Sequence, residues 1–413
     1  MVHNQLTEMF RSEYGNLVAV LCHFYGIRNI QLAEDIVSDT FLHAMKVWSH
    51  KGVPEYPKAW LRKVALNKFK DYYRRNQTFK EKVKENYIRS QKHVEEIILN
   101  EQLVSDGLLN MIFAICNSNI KIDTQICLAL RLLCGFSIDQ IAAALLTSKE
   151  NINKKLYRGK KQLRKYRTNW NQLKSKDYLV RIAPVLRIIY LLFNEGYYSS
   201  VNDQNIKQEF CWEAMRLAIF MSKQTFLPQK NTYALIALMC FHTSRFDSRT
   251  RSNGQYILYI DQDKSKWNND LIKKGEYYLT KSANGNKVSK YHLEAAIAYW
   301  HTTDIPDKWN NILQLYNRLL IIEYSPVIAM NRTYVLALAN SVQEAIIEAK
   351  KLNLENNYYY FWLLAELFRL NEEPSKEIEY LNKALEMVKK SGEKQILKTK
   401  LEKASRERSA KRL

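Results

Sequence analysis

The sequence predicts an all-α protein built from several helical domains. Glycine and proline, the residues that most often mark turns, number only 11 and 7 among 413 residues, so few helix breakers are present. Hydrophobic residues make up 46% of the chain, and they recur at helical spacing through most of it. These observations predict long helices that can fill real cores, and the length suits two or three domains.

A large positive charge indicates a polyanionic partner. The formal net charge is +21, which favours nucleic acid first and a membrane surface second. The first 170 residues hold 27 Lys and Arg against 16 Asp and Glu, whereas the remaining 243 hold 36 against 26. Because charge density is higher in the first part, we expect the nucleic-acid contacts there.

The six cysteines favour a reduced, intracellular setting. No two of them form a Cys-x-x-Cys pair, so no metal site is expected, and they lie within apolar runs as buried thiols do. The first residues lack the pattern of a signal peptide. No run reaches the length of about 18 uncharged apolar residues that a membrane helix needs. We therefore expect a soluble cytoplasmic protein with no membrane partner.

The segment "QLAEDIVSDTFLHAMKVW", residues 31–48, predicts an amphipathic helix. Its inward face is expected to hold seven residues: Ala33, Ile36, Val37, Thr40, Phe41, Ala44 and Trp48. The opposite face carries Asp35, Asp39, Leu42 and Lys46. A loop with two prolines, "SHKGVPEYP", then breaks the chain.

The next predicted helix, residues 58–75, combines positive charge with aromatic rings. It has seven basic residues and one acid, Asp71, and four aromatic residues lie among them: Trp60, Phe69, Tyr72 and Tyr73. Single-stranded nucleic acid is commonly held in this way, because charge follows the backbone and rings stack on bases. The alternative is that rings pack in the core, which the four-residue spacing of Trp60 and Val64 favours for that pair.

Residues 138–167 follow the pattern of a helix-turn-helix. A short helix over 138–144 is joined by "LLT" to a helix that carries nine basic residues and one acid over 149–167. Ser148 is placed to cap the first turn of the second helix. In such motifs the N-terminal residues of the second helix enter the major groove, and the later lysines are expected to neutralise phosphates. A basic surface helix that binds no DNA is the alternative.

The order of these segments resembles one protein family. "AEDIVSDTFLHAMKVW", "PKAWLRKVALNKFKDYYRR" and the helix-turn-helix that ends in "YRGKKQLRK" stand in the order and spacing of an extracytoplasmic-function (ECF) sigma factor of bacterial RNA polymerase. The resemblance covers about residues 5–168. It implies sigma region 2 over 1–76, a linker over 77–104 and sigma region 4 over 105–170.

The resemblance also implies three sets of contacts. Core RNA polymerase, through its largest catalytic subunits, is expected to bind Asp35, Asp39, Leu42 and Lys46. The single-stranded −10 element of promoter DNA is expected to contact Lys63, Asn67, Lys68, Arg74 and Arg75. The duplex −35 element is expected to contact Lys149, Asn151, Lys154, Lys155 and Arg158. Two positions depart from the family pattern, since Leu66 stands where arginine is frequent and Lys70 where the residue is usually apolar.

The rest of the chain, residues 175–413, resembles the C-terminal extension of ECF42-like sigma factors. That extension is a helical, TPR-like domain of the DUF6596 type. Residues 361–384 fit one tetratricopeptide hairpin with "NEEP" as its turn. Because stacked helical pairs commonly bind peptides or protein domains, we expect a regulatory domain that could receive a regulatory protein.

No catalytic constellation, Gly-rich phosphate loop or metal cluster stands out in the sequence. We therefore expect no enzyme activity, no cofactor and no metal, and we interpret Asp261 and Asp263 as part of a solvated turn or of an internal salt bridge. The predicted function is an alternative sigma factor that binds core RNA polymerase and directs promoter-specific initiation, regulated by its C-terminal domain.

Three other functions fit parts of the sequence. The first alternative is a one-component helix-turn-helix regulator with a helical sensor domain. The second is a TPR-type scaffold whose basic N-terminal part is incidental. An enzyme in the C-terminal half is the least favoured.

Overall fold

The computed structural model confirms the all-α prediction. It describes residues 2–75, 101–145, 147–165, 175–198, 204–249, 257, 259–284, 287–388 and 391–410. All regular elements in these ranges are helical, and no β-strand occurs there. The predicted linker over 77–104 falls mainly on 76–100, outside the described residues. By packing, the chain forms two compact units, Met1–Leu227 and Pro228–Leu413.

Nine α-helices are described in the first unit: α1 (Val2–Tyr25), α2 (Ile30–Lys51), α3 (Pro57–Arg75), α4 (Glu101–Ile115), α5 (Ile122–Leu128), α6 (Ile138–Ala144), α7 (Lys149–Arg164), α8 (Ser175–Tyr198) and α9 (Gln204–Ser222). A 3₁₀ turn (Ile27–Asn29) joins α1 to α2, and a π-helical segment (Ala129–Leu133) follows α5. The first unit therefore contains both predicted DNA-binding helices, α3 and α7.

Helix α1 lies at the centre of the first unit. It packs against α2, α3, α4 and the π segment, and its second half is almost fully buried. A Cβ atom added at Gly15 would lie 2.3 Å from the carbonyl oxygen of Leu133. A glycine at this position thus allows the backbones of α1 and the π segment to approach directly.

Helices α8 and α9 pack within the first unit, although the sequence places them at the start of the C-terminal segment. The rings of Phe136 and Phe210 lie 4.5 Å apart, and the Tyr178 hydroxyl donates to the side chain of Asn110 at 2.6 Å. The predicted divisions at 170 and 175 concern sequence regions and stay predictions. The division by packing comes later, after Leu227.

Nine α-helices are also described in the second unit: α10 (Lys230–Thr243), α11 (Asn269–Ser282), α12 (Lys290–His301), α13 (Lys308–Ile322), α14 (Pro326–Ala339), α15 (Val342–Leu352), α16 (Tyr358–Leu370), α17 (Pro374–Met387) and α18 (Ser391–Ala410). From α12 onward each helix packs on the next in the chain, which is the pattern of stacked helical repeats. The predicted tetratricopeptide hairpin is α16 and α17, with Leu364, Phe368 and Leu381 buried. No helix within the described ranges has both the length and the apolar character needed to cross a membrane.

Candidate nucleic-acid and polymerase interface

Helix α2 separates an apolar inner face from a mixed outer face. All seven residues predicted to face inward are buried, because they recur at three- and four-residue spacing along one side of the helix. The four predicted polymerase contacts on the other side are exposed, including Leu42 at 54%. Met45, three residues further on, is 45% exposed. Met45 is thus a second exposed apolar residue on a mostly polar face, and its three-residue spacing from Leu42 is the sequence signal that identifies it.

Helix α3 presents four of the five predicted −10 contacts to solvent: Lys63, Asn67, Arg74 and Arg75 are exposed. Lys68 is half-buried instead, because its ammonium group forms an ion pair with the Asp39 carboxylate of α2. Arg74 pairs with Asp71 one turn earlier, at 3.0 Å. The structure therefore joins one predicted polymerase contact directly to one predicted DNA contact.

The inner side of α3 accounts for several of its other residues. Leu66, which departs from the family pattern, is 2% exposed and belongs to the core. Phe69 is fully buried and stacks on Tyr25 with ring centres 3.9 Å apart. Trp60 is half-buried and packs against Trp48 at 5.4 Å. The alternative interpretation thus holds for these rings, whereas Tyr72 is 45% exposed; the side chain of Tyr73 lies outside the described residues.

Helices α6 and α7 form the helix-turn-helix, and α6 has the predicted bounds. The Asn151 backbone N–H donates to Ser148 Oγ at 3.2 Å, so the predicted N-cap is present. Ile152, Leu156 and Leu163 are buried. A Cβ at Gly159 would lie 2.7 Å from a Leu128 methyl carbon, so the absence of a side chain lets α7 pack closely on α5.

The N-terminal half of α7 presents the predicted −35 contacts to solvent. Lys149, Asn151, Lys154 and Arg158 are exposed, and Lys155 is partly exposed. The Asn151 side-chain amide donates to Thr147 Oγ1 at 2.7 Å, which orients it near the helix start. Lys149 lies 2.8 Å from Asp139, and hydrogen bonding to that carboxylate raises the pKa of Lys149 above its ordinary value. Lys155 pairs weakly with Asp123 at 3.5 Å.

Lys160, further along α7, is placed differently from the expected phosphate contacts. It is 8% exposed and forms an ion pair with Glu34, which is 1% exposed in the buried face of α2. Its ammonium group also donates to Gln31 Oε1 at 2.9 Å. Arg131 Nε lies 3.0 Å from the other Glu34 oxygen. The sequence signal for this cluster is Glu34 itself, an acidic residue within an otherwise apolar helix face.

The titratable groups of the described residues form no cluster suited to a metal. No group of three or more His, Cys, Asp and Glu side chains that could hold a metal ion occurs in the part of the chain that the structure describes. All six cysteines lie in the described part of the chain, where they are buried and form no disulfide, and burial raises the pKa of the Cys127 thiol to about 11. Asp263 accepts from the Ser265 backbone N–H at 3.0 Å, so it caps a short 3₁₀ turn.

Family comparisons assign three parts of the chain. Residues 9–79 match sigma-70 region 2, and residues 121–163 match sigma-70 region 4. Residues 181–283 match DUF6596, a family of unknown function. The first two matches contain α2, α3 and the helix-turn-helix described above. The third includes helices from both compact units.

Two relatives extend these matches. An uncharacterized protein of Rhizobium meliloti (strain 1021) is 29% identical over 351 residues, which cover 83% of this chain and 82% of that protein. The ECF RNA polymerase sigma factor SigX of Bacillus subtilis (strain 168) is 23% identical over 145 residues, or 35% of this chain and 74% of SigX. No solved structure matches the chain. Both sigma regions and the DUF6596 segment occur in order on one polypeptide, so the chain matches the pattern of an ECF-type sigma factor with a C-terminal extension.

Proposed function

We propose that this sigma factor binds core RNA polymerase through the outer face of α2, contacts the −10 element with α3 and contacts the −35 element with α7. The observation that carries the proposal is the exposure of all three predicted contact faces on a chain that contains both sigma regions. The polymerase performs the chemistry, and the sigma factor selects the promoter. We place the sigma factor with the polymerase in the cytoplasm. Its membership of the ECF42-like subgroup stays a prediction.

The polymerase contact on α2 combines apolar and charged groups. Leu42 and Met45 supply exposed apolar surface, and Asp35, Asp39 and Lys46 surround it with charge. Small apolar centres with a polar rim are typical of protein interfaces. Asp35 is the clearest charge to test, because Asp39 is already engaged by Lys68 within the unit.

The two DNA contacts differ in the form of DNA that they suit. On α3, exposed Lys63, Asn67 and Arg75 lie on the same helix as exposed Tyr72, a combination suited to unstacked single strand. On α7, Asn151 lies at the helix start, where an amide can read a base edge in the major groove. Lys154 and Arg158 follow on the exposed side for phosphate contact.

Reconstituted transcription tests the polymerase contact. We expect Asp35→Lys to lower the affinity for purified core polymerase and the run-off transcription yield at least tenfold, while binding to duplex −35 DNA stays unchanged. Glu276→Lys, an equal charge change at an exposed position of α11, serves as the control. A chain that binds promoter duplex but never associates with core polymerase would instead be a one-component regulator.

We also propose that the C-terminal extension regulates the sigma regions in cis. The support lies inside the first unit, where α9 contacts the segment that leads into the helix-turn-helix. Arg216 donates to the Leu133 carbonyl oxygen at 3.0 Å, and Phe210 packs on Phe136. A displacement of α9 would therefore disturb Leu133 and Phe136, which directly precede the helix-turn-helix.

Truncation after Leu227 tests this regulation, because it removes the second unit and keeps α8 and α9. We expect the run-off yield of the truncated protein to change at least threefold relative to the full chain, with the promoter preference retained. An unchanged yield would contradict regulation by the second unit.

The second unit offers one surface for a regulatory protein. Four apolar side chains are exposed where α13 ends, in the turn that follows and where α14 begins: Ile321, Ile322, Tyr324 and Val327. Clustered exposed apolar residues of this kind mark interaction sites more often than scattered ones. A shallow groove of about 330 Å³ adjoins the turn and is lined by Arg332 and Glu348, among others.

A further inference from the structure

Helix α18, the last described helix of the second unit, buries only one of its sides. Leu397 and Ala404 are at most 2% exposed and belong to an apolar cluster with residues of α16 and α17, and Leu401 packs against that cluster. None of the large hydrophobic side chains exposed in the described part of the chain lies on α18. Packing therefore accounts for the inner side of α18 but not for the composition of its outer side.

The charged side chains of α18 divide between these two sides. On the inner side, Glu393 accepts a hydrogen bond from the Tyr359 hydroxyl at 2.7 Å, and Lys400 pairs with Glu366 of α16 at 2.6 Å. The exposed positions described on the outer side hold four cations and one acid: Lys394, Lys398, Lys403, Arg406 and Glu402. The outer side is thus a positively charged surface.

Three of these cations differ from the cations of the two neighbouring helices. Each Lys and Arg of α16 and α17 pairs with an acid three or four positions away: Arg369, Lys376 and Lys383. Such pairs stabilise exposed helices and neutralise their surface locally. Lys394, Lys398 and Arg406 form no ion pair within the ranges that the structure describes. Their charges are therefore available to an external anion.

These three residues, called the cationic stripe below, lie along one side of the helix. From the geometry of an α-helix, Lys394, Lys398 and Arg406 fall within about 120° of its circumference and span about 18 Å of its length. A DNA strand carries one phosphate for about 3.4 Å of axis, so the stripe is as long as about five base pairs. Glu402 lies within the same arc, one turn from Lys398 and from Arg406, and its charge has the opposite effect on an anion.

The chemistry of the outer side favours phosphates over two other anionic partners. A helix that lies on a membrane inserts an apolar face into the lipid, but the apolar side of α18 is packed against α16 and α17. Protein interfaces have an apolar centre, whereas α18 exposes no large hydrophobic side chain among its described residues. Phosphate contacts need neither feature, because Lys and Arg bind phosphates through charge.

We propose that the cationic stripe of α18 binds the phosphate backbone of duplex DNA. Only the choice of DNA as the source of phosphates rests on the proposed function, because that function brings the chain to promoter DNA. The contact adds affinity without reading bases, since phosphate contacts carry no sequence information directly. Glu402 weakens the contact by repulsion.

Salt titration of DNA binding by the full chain tests this contact, with a short duplex that lacks promoter elements as the probe. We expect the combined variant Lys394→Gln, Lys398→Gln and Arg406→Gln to bind at least fivefold more weakly at low salt. Its slope of log affinity against log salt should fall by about 2.7, or about 0.9 for each lost contact. Glu402→Gln should instead bind at least twofold more tightly. All four positions are exposed, and circular dichroism verifies that each variant keeps its helices.

The combined variant Lys351→Gln, Lys376→Gln and Lys383→Gln is the matched control. It removes the same charge from three exposed lysines of the second unit, but each of them already pairs with an acid three or four positions away. This control should keep the salt slope of the unmodified chain. An equal fall in the control, an unchanged slope in the stripe variant, or weaker binding by Glu402→Gln would overturn the proposed contact.

Crosslinking shows whether the stripe itself lies on DNA. The six native cysteines are buried, so a photoactivatable group can be attached at Lys398→Cys or, as the control, at Lys376→Cys. We expect duplex DNA to crosslink to the first position and not to the second. Crosslinking at both positions or at neither, or preferential competition by single-stranded RNA or by anionic lipid vesicles, would overturn the assignment to duplex DNA.

The outcomes for the stripe and for the proposed function can be told apart. If the stripe variants change the salt slope as expected but the chain binds no core polymerase, the stripe contact stands and the proposed function fails. If core polymerase and the chain transcribe from a promoter while the stripe variants leave the slope unchanged, the stripe contact is overturned and the proposed function stands.

Discussion

Asn151 and Lys154 lie one helical turn apart on α7, yet the structure suits them to different tasks. Asn151 is oriented by its bond to Thr147 Oγ1 and by the Ser148 cap, so its amide is held near the helix start. Lys154 is an exposed cation on a long side chain. An oriented amide can distinguish bases, whereas an exposed ammonium group contacts any phosphate.

Alanine substitution should separate these tasks. We expect Asn151→Ala to reduce discrimination at one base pair of the −35 element by about 1–3 kcal/mol. Lys154→Ala should weaken binding to all sequences equally and reduce the slope of log affinity against log salt by about 0.9. Competition binding with single-base variants at several salt concentrations measures both. Equal loss for all sequences in Asn151→Ala would contradict base reading by this residue.

His301 in the second unit makes stability depend on pH. Burial, together with nearby Arg245 and Lys308, lowers its pKa from 6.5 to about 3. The neutral ring packs against Tyr259 and Trp309. Because the folded-state pKa lies below the unfolded value, its stabilising contribution is complete above about pH 6.5 and is lost as pH falls toward 3.

Thermal unfolding at several pH values tests this dependence. We expect His301 to account for about 2 kcal/mol of lost stability between pH 7.5 and pH 5. His301→Gln should reduce the slope over this range, although His242, whose pKa burial also lowers well below its ordinary value, keeps part of it. His50→Gln, at an exposed position of α2, is the control. An unchanged slope in His301→Gln would show that His301 does not titrate in this way.

At the scale of single elements, two glycines of the first unit lie where a neighbouring segment leaves little room for a Cβ atom. A Cβ at Gly15 of α1 would meet the carbonyl oxygen of Leu133 at 2.3 Å, a backbone atom that cannot rotate away. A Cβ at Gly159 of α7 would meet side-chain carbons of Leu128 and Thr124 at 2.7 and 2.8 Å. Side-chain carbons can shift more easily than a hydrogen-bonded backbone.

Alanine at the two glycines should therefore have unequal effects. Alanine improves helix propensity by up to about 1 kcal/mol, but overpacking costs about 1–3 kcal/mol. We expect Gly15→Ala to lower the free energy of unfolding by about 2 kcal/mol and Gly159→Ala by less than about 1 kcal/mol. Urea unfolding measures both. A larger loss for Gly159→Ala would contradict the close backbone approach of α1 to the π segment.

At the scale of the whole molecule, packing and sequence regions divide the chain at different places. The region 4 match ends at residue 163 and the DUF6596 match begins at 181, but α8 and α9 remain part of the first unit's core. Phe193, Phe210 and Met221 on these helices are at most 1% exposed. Removal of α8 and α9 would expose apolar surface on α4 and on the segment around Phe136.

Two truncations should therefore differ in stability. We expect residues 1–227 to unfold in one cooperative transition, because they retain the complete core of the first unit. Residues 1–174 should melt at a temperature at least about 10 °C lower, since several buried apolar side chains are lost and each contributes about 1.5–3 kcal/mol. Calorimetry measures both proteins. Equal melting temperatures would show that α8 and α9 do not stabilise the sigma regions.

The sequence predicted most helices and the faces that they bury. The inward face of α2, the bounds of α6 and the Ser148 cap can all be predicted, because each depends on residue types within a few neighbouring positions. Resemblance added the order of the sigma regions, which the family matches confirm. Local patterns could not show that Lys68 pairs with Asp39 or that Lys160 is buried, because those partners lie 29 and 126 positions away in the chain.

By itself, the sequence determined the helical class, the basic character of the two predicted DNA-binding helices and the apolar side of helices such as α2, because periodicity and composition are properties of short segments. Only the tertiary structure decided which charges stay available and where the compact units divide. Both depend on contacts between segments that are distant in the sequence. A buried acid such as Glu34 forms its ion pairs only once the helices have packed together. For this reason Glu34 of α2 pairs with Lys160 and Arg131, which lie far from it in the sequence.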